Sequence, residues 1–544
     1  MHEIEIELNV PVAMRDGTVL RADVYRPAGD GPWPVIVART PYDKSDPYVN
    51  MLLDPLLAVR LGLIAVIQDV RGRFASEGGE FVPFASEAQD GADTVAWAAS
   101  IKGSSGRVGM WGPSYLGNVQ WQAAAQRPPA LGAIAPSTTF RTGDGLSTRG
   151  GARELGLCRP WSVYAGFDAL ARRHADDGGA AERVLEELIT AADGLPGPTY
   201  DELPTGTVAE KDPLVARLGL PTFDVAAADV SRHQLSVDVP VLNIGGWFDV
   251  FLQGTIDNFV NGGPEDRLII GPWNHMSSAP QQGDLNFGCA GSGAAVDLGP
   301  SLNSLTFEWL RAQLSQVGAQ EDRRVKIFTM GANRWRSEPT WPLERAEPKR
   351  FFLLANGLAD EVPSGLGAAL SFVYDPARPV PTLGGCTLLD HRPAGTFDQS
   401  AIERRDDVVA FTTDPLSEDV EVTGRVKATI QVSTDAPTTD WVVRLCDVHP
   451  DGASYNVCDG ITRVSSTPGE AQSVEVDLWS TSMLFRAGHR IRIDVTSSSY
   501  PRWDRNLNTP DGFETGEMSV AHQTVHLGTD SYVTLPVVPV AAHA

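Results

Sequence analysis

Six short apolar runs without a polar face constrain the fold of this chain more than any other feature: Val35 to Ala38, Leu63 to Ile67, Val108 to Trp111, Leu131 to Ala135, Val241 to Ile244 and Leu268 to Ile270. A strand buried on both faces reads as such a run, whereas a half-exposed strand alternates. Helix-like segments separate the first four, so residues 1–140 predict a parallel sheet covered by helices. Over 141–235 the pattern turns helical, rich in Ala, Leu and charge in Phe167 to Ala175 and Ala180 to Ala192, and is broken by the turn-forming Gly194-Leu195-Pro196-Gly197-Pro198. This predicts a helical cap inserted into the sheet, whose second part, 236–345, the last two runs complete.

Beyond residue 350 the period becomes two. Val422, Val426, Ala428, Ile430 and Val432 hold even positions, while Glu421, Thr423, Arg425, Lys427, Thr429 and Gln431 hold odd ones. With helix-length periodicity largely absent, residues 350–544 predict an antiparallel jelly-roll β-sandwich. The junction falls near 337–349, around Pro339, Pro342 and Pro348. A chain of 544 residues accommodates several such cores.

Charge excludes two classes of partner. Lys and Arg number 44 against 69 Asp and Glu, a formal charge of -25, so nucleic acid and anionic membrane surfaces are not expected to bind. The acidity reads as a solubilising surface. Five scattered cysteines, Cys158, Cys289, Cys386, Cys446 and Cys458, make neither a disulfide framework nor a metal-ligand spacing, and a reduced cytoplasmic setting is expected. The N-terminus, Met1-His2-Glu3-Ile4-Glu5-Ile6-Glu7-Leu8, has no secretory signal pattern, although a chain already relieved of one would read the same.

Chemistry concentrates where three of the apolar runs end. Gly109-Met110-Trp111-Gly112-Pro113-Ser114 leads from a strand pattern into the helix-like Asn118 to Ala125. A serine on such a turn projects its hydroxyl above the sheet, beside amides at a helix N-terminus that stabilise developing negative charge. The usual G-x-S-x-G form is altered, with Leu116 in the second glycine position and Gly117 one place later. A serine needs a base to take its proton and an acid to orient that base. The next two runs end in Gly245-Gly246-Trp247-Phe248-Asp249 and Gly271-Pro272-Trp273-Asn274-His275, which puts a carboxylate and an imidazole at the same sheet edge, in the order Ser, Asp, His. Singly, each residue has a plainer reading: Ser114 in an ordinary turn, Asp249 capping a helix over Val250 to Phe259, His275 on a surface loop. None of these explains why all three end strand-like runs in that order.

With these residues in view the chain resembles the cocaine esterase-like serine hydrolases, relatives of the X-Pro dipeptidyl-peptidases and α-amino acid ester hydrolases. The resemblance rests on Arg39-Thr40-Pro41-Tyr42-Asp43-Lys44, Gln68-Asp69-Val70-Arg71-Gly72-Arg73 with Ser76-Glu77-Gly78, Gly112-Pro113-Ser114-Tyr115-Leu116-Gly117, Gly246-Trp247-Phe248-Asp249, Gly271-Pro272-Trp273-Asn274-His275 and Ser498-Ser499-Tyr500-Pro501-Arg502-Trp503-Asp504-Arg505-Asn506. It covers nearly the whole chain, and Leu116-Gly117 is usual in that family. The resemblance implies an α/β-hydrolase core with an inserted helical cap and a C-terminal jelly roll. It also implies that the Tyr42 hydroxyl and the Tyr115 backbone N–H form the oxyanion hole, with the Tyr42 hydroxyl facing the solvated cleft.

Phe251, just past Asp249, and Trp161 and Tyr164 in the cap are candidates for the substrate pocket, and aromatic walls suit an aryl or bulky acyl ester. Asp69, Arg71 and Arg73 are read as structural. The carboxylates Asp176, Asp177, Glu182, Glu186 and Glu187 read as a solvated helix face. No metal or other cofactor is expected, since no Cys/His spacing resembles a metal site and neither a P-loop nor a dinucleotide fingerprint occurs. The expected activity is that of a serine carboxylesterase acting on a small-molecule ester. An X-Pro dipeptidyl-peptidase or α-amino acid ester hydrolase/acylase is the alternative, and a non-catalytic glycan-binding protein a distant one. The oligomeric state stays open, a homodimer included.

Overall fold

The computed structural model describes residues 3–193, 213–223, 228–231, 237–315, 324–362, 368–389, 393–510 and 517–539. The turn expected at Gly194 to Pro198 lies outside them. The first part of the chain contributes β1 (Ile4–Ala13), β2 (Val19–Pro27), β3 (Trp33–Thr40), β4 (Ile64–Asp69), β5 (Ser104–Pro113) and β6 (Leu131–Ser137). Helices α1 (Pro47–Leu53), α2 (Pro55–Arg60), α3 (Glu87–Ala98) and α4 (Tyr115–Ala125) connect them. A two-residue hairpin, β7 (Thr148–Arg149) and β8 (Ala152–Arg153), precedes the long helices α5 (Leu155–Arg173) and α6 (Gly178–Asp193). The chain then returns with β9 (Leu242–Phe248), β10 (Arg267–Asn274), the short pair β11 (Gln281–Gln282) and β12 (Leu285–Asn286), then β13 (Val325–Thr329) and β14 (Arg334–Glu338).

Ten of these strands form one sheet in the order β1-β2-β4-β3-β5-β6-β9-β10-β13-β14. Pairing is parallel from β4 through β13 and antiparallel at both margins. The apolar runs are strands for the expected reason: all six residues of β4 and all seven of β9 are buried, because helices cover both faces. The order reverses between β3 and β5, a switch point at which the loops leaving the strands' C-terminal ends part and leave a crevice. Tyr42 follows β3 and Ser114 follows β5, so both stand at that crevice.

Two helices begin earlier than the sequence pattern suggests. Helix α4 starts at Tyr115, directly after the turn at Ser114, and α5 runs from Leu155, well upstream of Phe167. The upstream half of α5 is buried nearly all round, Leu155 to Arg159 and Trp161 to Val163 included, so it carries no amphipathic stripe to betray it. Among the described residues no helix is long and apolar enough to cross a membrane.

The C-terminal part is all-β. It comprises β15 (Glu347–Leu354), β16 (Gly357–Ala359), β17 (Ala369–Tyr374), β18 (Val409–Thr412), β19 (Val420–Thr434), β20 (Thr438–Val448), β21 (Ser454–Ser465), β22 (Gln472–Phe485), β23 (Arg490–Thr496), β24 (Ala521–His526) and β25 (Tyr532–Val538). Seven of them form one sheet, β16-β15-β25-β19-β24-β17 with β22 also on β19, and four form a second, β18-β23-β20-β21. The alternation in β19 sends Val422, Val426, Ala428, Ile430 and Val432 inward, all fully buried.

Candidate active site

Ser114 sits at φ 59°, ψ −122°, a strained conformation for a non-glycine residue, between the last residue of β5 and the first of α4. The surroundings over-determine that geometry. Its N–H donates to the Ser137 carbonyl at 2.9 Å, and its own carbonyl accepts from the N–H groups of Gly117 and Asn118 and from Thr139 Oγ1. A Cβ at Gly112 would stand 2.8 Å from the Leu116 side chain, and one at Gly117 would stand 2.8 Å from Thr139. This accounts for the altered motif: Leu116 packs over Gly112, and position 117 is the one pressed against the end of β6. Gln120, fully buried, braces the turn by donating to the carbonyls of Gly112 and Leu116 while accepting from the Ala135 N–H. Sequence reasoning passed over Gln120; its only signal is an amide in the midst of a buried helix.

Asp249 and His275 meet as the strand ends predict. His275 Nδ1 lies 2.8 Å from Asp249 Oδ1, which also accepts from the Phe251 N–H at 3.2 Å. Asp249 is fully buried, and among the described residues its Oδ2 has no hydrogen-bond donor. The Phe251 ring stands edge-on to the imidazole at 5.2 Å. Two paired glycines make the approach feasible, since a Cβ at Gly246 would fall 2.3 Å from the Trp273 carbonyl oxygen and one at Gly271 would fall 2.3 Å from the Trp273 ring. A contact from far along the chain meets the end of β9: the Cys386 thiol, pushed up to about 12 chiefly by burial, lies 3.5 Å from the Trp247 carbonyl, two residues before Asp249.

Tyr42 stands beside the Ser114 turn, its ring edge-on to that of Tyr115, the next residue, at 6.4 Å. Burial above all pushes the Tyr42 phenol up to about 12. Its hydroxyl does not simply face the cleft as expected: it accepts a hydrogen bond from Trp161 Nε1 at 3.0 Å, because the buried start of α5 lays that indole against it. Trp161 is therefore tied to Tyr42 rather than free to wall a pocket on its own, and its ring packs on Phe223 at 4.2 Å. Tyr164 is 51% exposed with its ring 5.8 Å from Tyr42, while Phe251 is almost wholly buried. Tyr115 offers the site only its backbone. Its hydroxyl donates to Glu87 Oε1 at 2.8 Å and its ring stacks on Phe84, whereas its N–H, at the first residue of α4, has no carbonyl within the helix to bond.

The charged motif residues form the frame. Arg73, buried, donates to the carbonyls of Pro41 and Ala165 and pairs with Asp168 at 3.2 Å, fastening the loop of Tyr42 to α5. Asp69 accepts from the Lys44 N–H at 2.7 Å, and burial raises its carboxyl to about 6 against the pull of Lys44. Arg71 pairs with Asp90 and Asp16. In the cap, Glu187 is paired with Arg217.

Comparison with known proteins matches two family models to this chain. The X-Pro dipeptidyl-peptidase (S15 family) model covers residues 16–277, and the X-Pro dipeptidyl-peptidase C-terminal non-catalytic domain covers 317–534. The chain is 35% identical to cocaine esterase of Rhodococcus sp. (strain MB1 Bresler), over 97% of this chain and 98% of that one. Among solved structures, an aminopeptidase from a marine sediment Thaumarchaeota archaeon superposes with a TM-score of 0.78 at 24% identity, covering 99% of this chain and 97% of the other. An α-amino acid ester hydrolase superposes with a TM-score of 0.77 at 23% identity, covering 98% and 97%. These two likenesses establish the shared fold.

Proposed function

This chain belongs to the X-Pro dipeptidyl-peptidase (S15) family and is a serine ester hydrolase, and from that premise we propose that it is a carboxylesterase that forms an acyl-enzyme on Ser114. The observation that carries the reading is the buried Asp249–His275 hydrogen bond at the same sheet edge as the strained Ser114 turn. The carboxylate holds the Nδ1 proton and so leaves Nε2 unprotonated to receive the serine proton. Ser114 Oγ attacks the ester carbonyl, and Nε2 passes the proton on to the departing alcohol. Water, deprotonated by the same nitrogen, then attacks the acyl-enzyme to release the acid and restore Ser114. The Tyr42 hydroxyl and Tyr115 N–H receive the oxyanion. Phe251 and Tyr164, together with Trp161 as held on the Tyr42 hydroxyl, surround the acyl and leaving groups, which favours an aryl or bulky acyl ester, and the identity to a relative named for an ester substrate supports this.

Cleavage beside a free α-ammonium is the second reading, favoured by the family model matched at 16–277. A panel of aryl esters, alkyl esters and dipeptide amides, assayed on wild type and Ser114→Ala, separates the two. Turnover confined to esters, and unaffected by N-acylation where an amine is present, is the expected result; preference for X-Pro amides would replace the carboxylesterase reading. We further propose the division into core (1–140 and 236–345), cap (141–235) and jelly roll (350–544), supported by the insertion of α5 and α6 between β6 and β9 and by the change of sheet between β14 and β15. The cytoplasmic setting is supported by all five cysteines being free thiols, four of them buried.

A further inference from the structure

Away from the Ser114 crevice, β20 and β23 bring together three residues that no spacing in the sequence pairs with one another. Asp447 lies near the end of β20, His449 begins the turn that follows, and His489 immediately precedes β23, which pairs with β20 so that Asp447 faces Ile491. His489 Nδ1 is 3.0 Å and 3.1 Å from the two Asp447 oxygens, and His449 Nε2 is 3.2 Å from Oδ2. The three donor atoms lie within 4.8 Å of one another. Neighbouring ligands on a tetrahedral ion with bonds of about 2.0–2.1 Å are roughly 3.3 Å apart, so only small movements would seat an ion among these atoms.

The charges favour the same occupant. Asp447 is buried, and among the described residues its ion-pair partners are the two imidazoles alone. The nearby cations are engaged elsewhere, Arg486 with Asp419 and Arg490 with Asp414. A second group of possible ligands, Glu403, Cys446 and Asp494, makes the contrast: Arg444 pairs with Asp494 and Arg492 with Glu403, so its charge is already met. A cavity of about 210 Å³ opens beside the Asp447 group, with Phe248 and Phe287 of the core and Met483 of the β-domain among its walls. It has room for the water that completes a three-residue site.

We propose that Asp447, His449 and His489 bind one divalent transition-metal ion of the zinc type, two imidazoles and a carboxylate leaving the fourth position to water in the adjoining cavity. The donor set selects such an ion over magnesium or calcium, which require more oxygen ligands. The site braces the turn after β20 against the start of β23, where the β-domain meets the core. The proposal departs from the expectation from sequence that no metal binds, which rested on linear spacing alone.

The test is direct metal binding, which does not depend on the esterase reading. Protein freed of metal by dialysis against a chelator is titrated calorimetrically with zinc sulfate, and with cobalt(II), whose visible spectrum reports tetrahedral coordination. We expect one ion per chain, binding at least tenfold weaker in His449→Gln and in His489→Gln, and a melting temperature raised by zinc only where the site is intact. Asp447→Asn keeps the shape of the side chain and decides the matter if a histidine variant fails to fold. Absence of saturable zinc binding by the wild type would overturn the proposal. So would equal affinity in the folded variants, which would place the ion elsewhere, at exposed Cys289 or at the exposed His522 and Asp435 pair.

Discussion

Tyr42 shows how much chemistry a single hydroxyl carries here. A phenol donates to an oxyanion only while it holds its proton, and burial pushes this one up to about 12, so Tyr42 stays a donor through the neutral and moderately alkaline range. Tyr42→Phe keeps the ring but deletes one donor aimed at charge that grows in the transition state, and is expected to lower kcat by about 10²–10³ with little change in KM. Near-normal kcat in a folded Tyr42→Phe protein would leave the second oxyanion donor unidentified. Ser114→Ala and His275→Ala are each expected to lower kcat on the order of 10⁶-fold with the fold retained, checked by steady-state kinetics beside a thermal melt. The positions of Ser114 and His275 were legible in the sequence because each closes an apolar run, whereas Tyr42 was marked only by the family resemblance. The hydrogen bond from Trp161 was not legible, since it joins residues 119 apart.

Among the elements, the parallel pair β9 and β10 sets the distance between Asp249 and His275. Gly246 and Gly271 stand opposite each other in that pair, and the Trp273 backbone and ring occupy the space that side chains there would take. Gly246→Ala drives a methyl against backbone rather than a flexible side-chain end, so it is expected to cost about 1–3 kcal/mol or more and to displace the acid from the base. Gly178→Ala, at the start of α6, meets nothing within 4 Å and should leave both melting temperature and kcat unchanged. Equal behaviour of the two variants would show that the crossing of these strands does not hold the pair. The glycines stand out in the sequence, yet whether each serves a turn or a close approach depends on the strand beside it.

The two halves of the molecule are joined through buried charge. Arg502, just beyond β23, donates to Asp459 of β21 at 2.7 Å, its neighbour Trp503 donates to Glu154 at the start of α5 at 2.9 Å, and Arg149 of β7 donates to the Asp459 carbonyl. Burial pushes Asp459 up, but Arg502, Arg149 and Arg444 outweigh it and leave the carboxyl below its ordinary value. A depressed carboxyl adds stability that is fully present above the unfolded value of about 4 and is lost as pH falls through the lower folded value. Asp459→Ala removes a carboxylate from two buried guanidinium groups, leaving Arg502 its longer pairing with Glu154 and Arg149 its bond to the carbonyl of residue 459, and an expected cost of ~3–5 kcal/mol should appear in denaturant unfolding at neutral pH. Asp459→Asn should weaken the dependence of stability on pH below about 4 relative to wild type, whose steepness there this carboxylate helps set. An unchanged acid limb would remove Asp459 from that role.

By itself the sequence determined six of the ten strands of the core sheet, β3, β4, β5, β6, β9 and β10, because a strand buried on both faces is apolar along most of its length, and it determined the order of Ser114, Asp249 and His275 along the sheet edge, because each ends such a run. Alternation likewise marked the β-domain, since one face of each strand meets the core and the other meets water. The tertiary structure alone decided which side chains from distant segments converge: Trp161 on Tyr42, Cys386 on the Trp247 carbonyl, and His489 on Asp447. The physical reason is that periodicity reports how a residue faces its own element, whereas these contacts depend on the register and approach of elements tens to hundreds of residues apart, which no local pattern records.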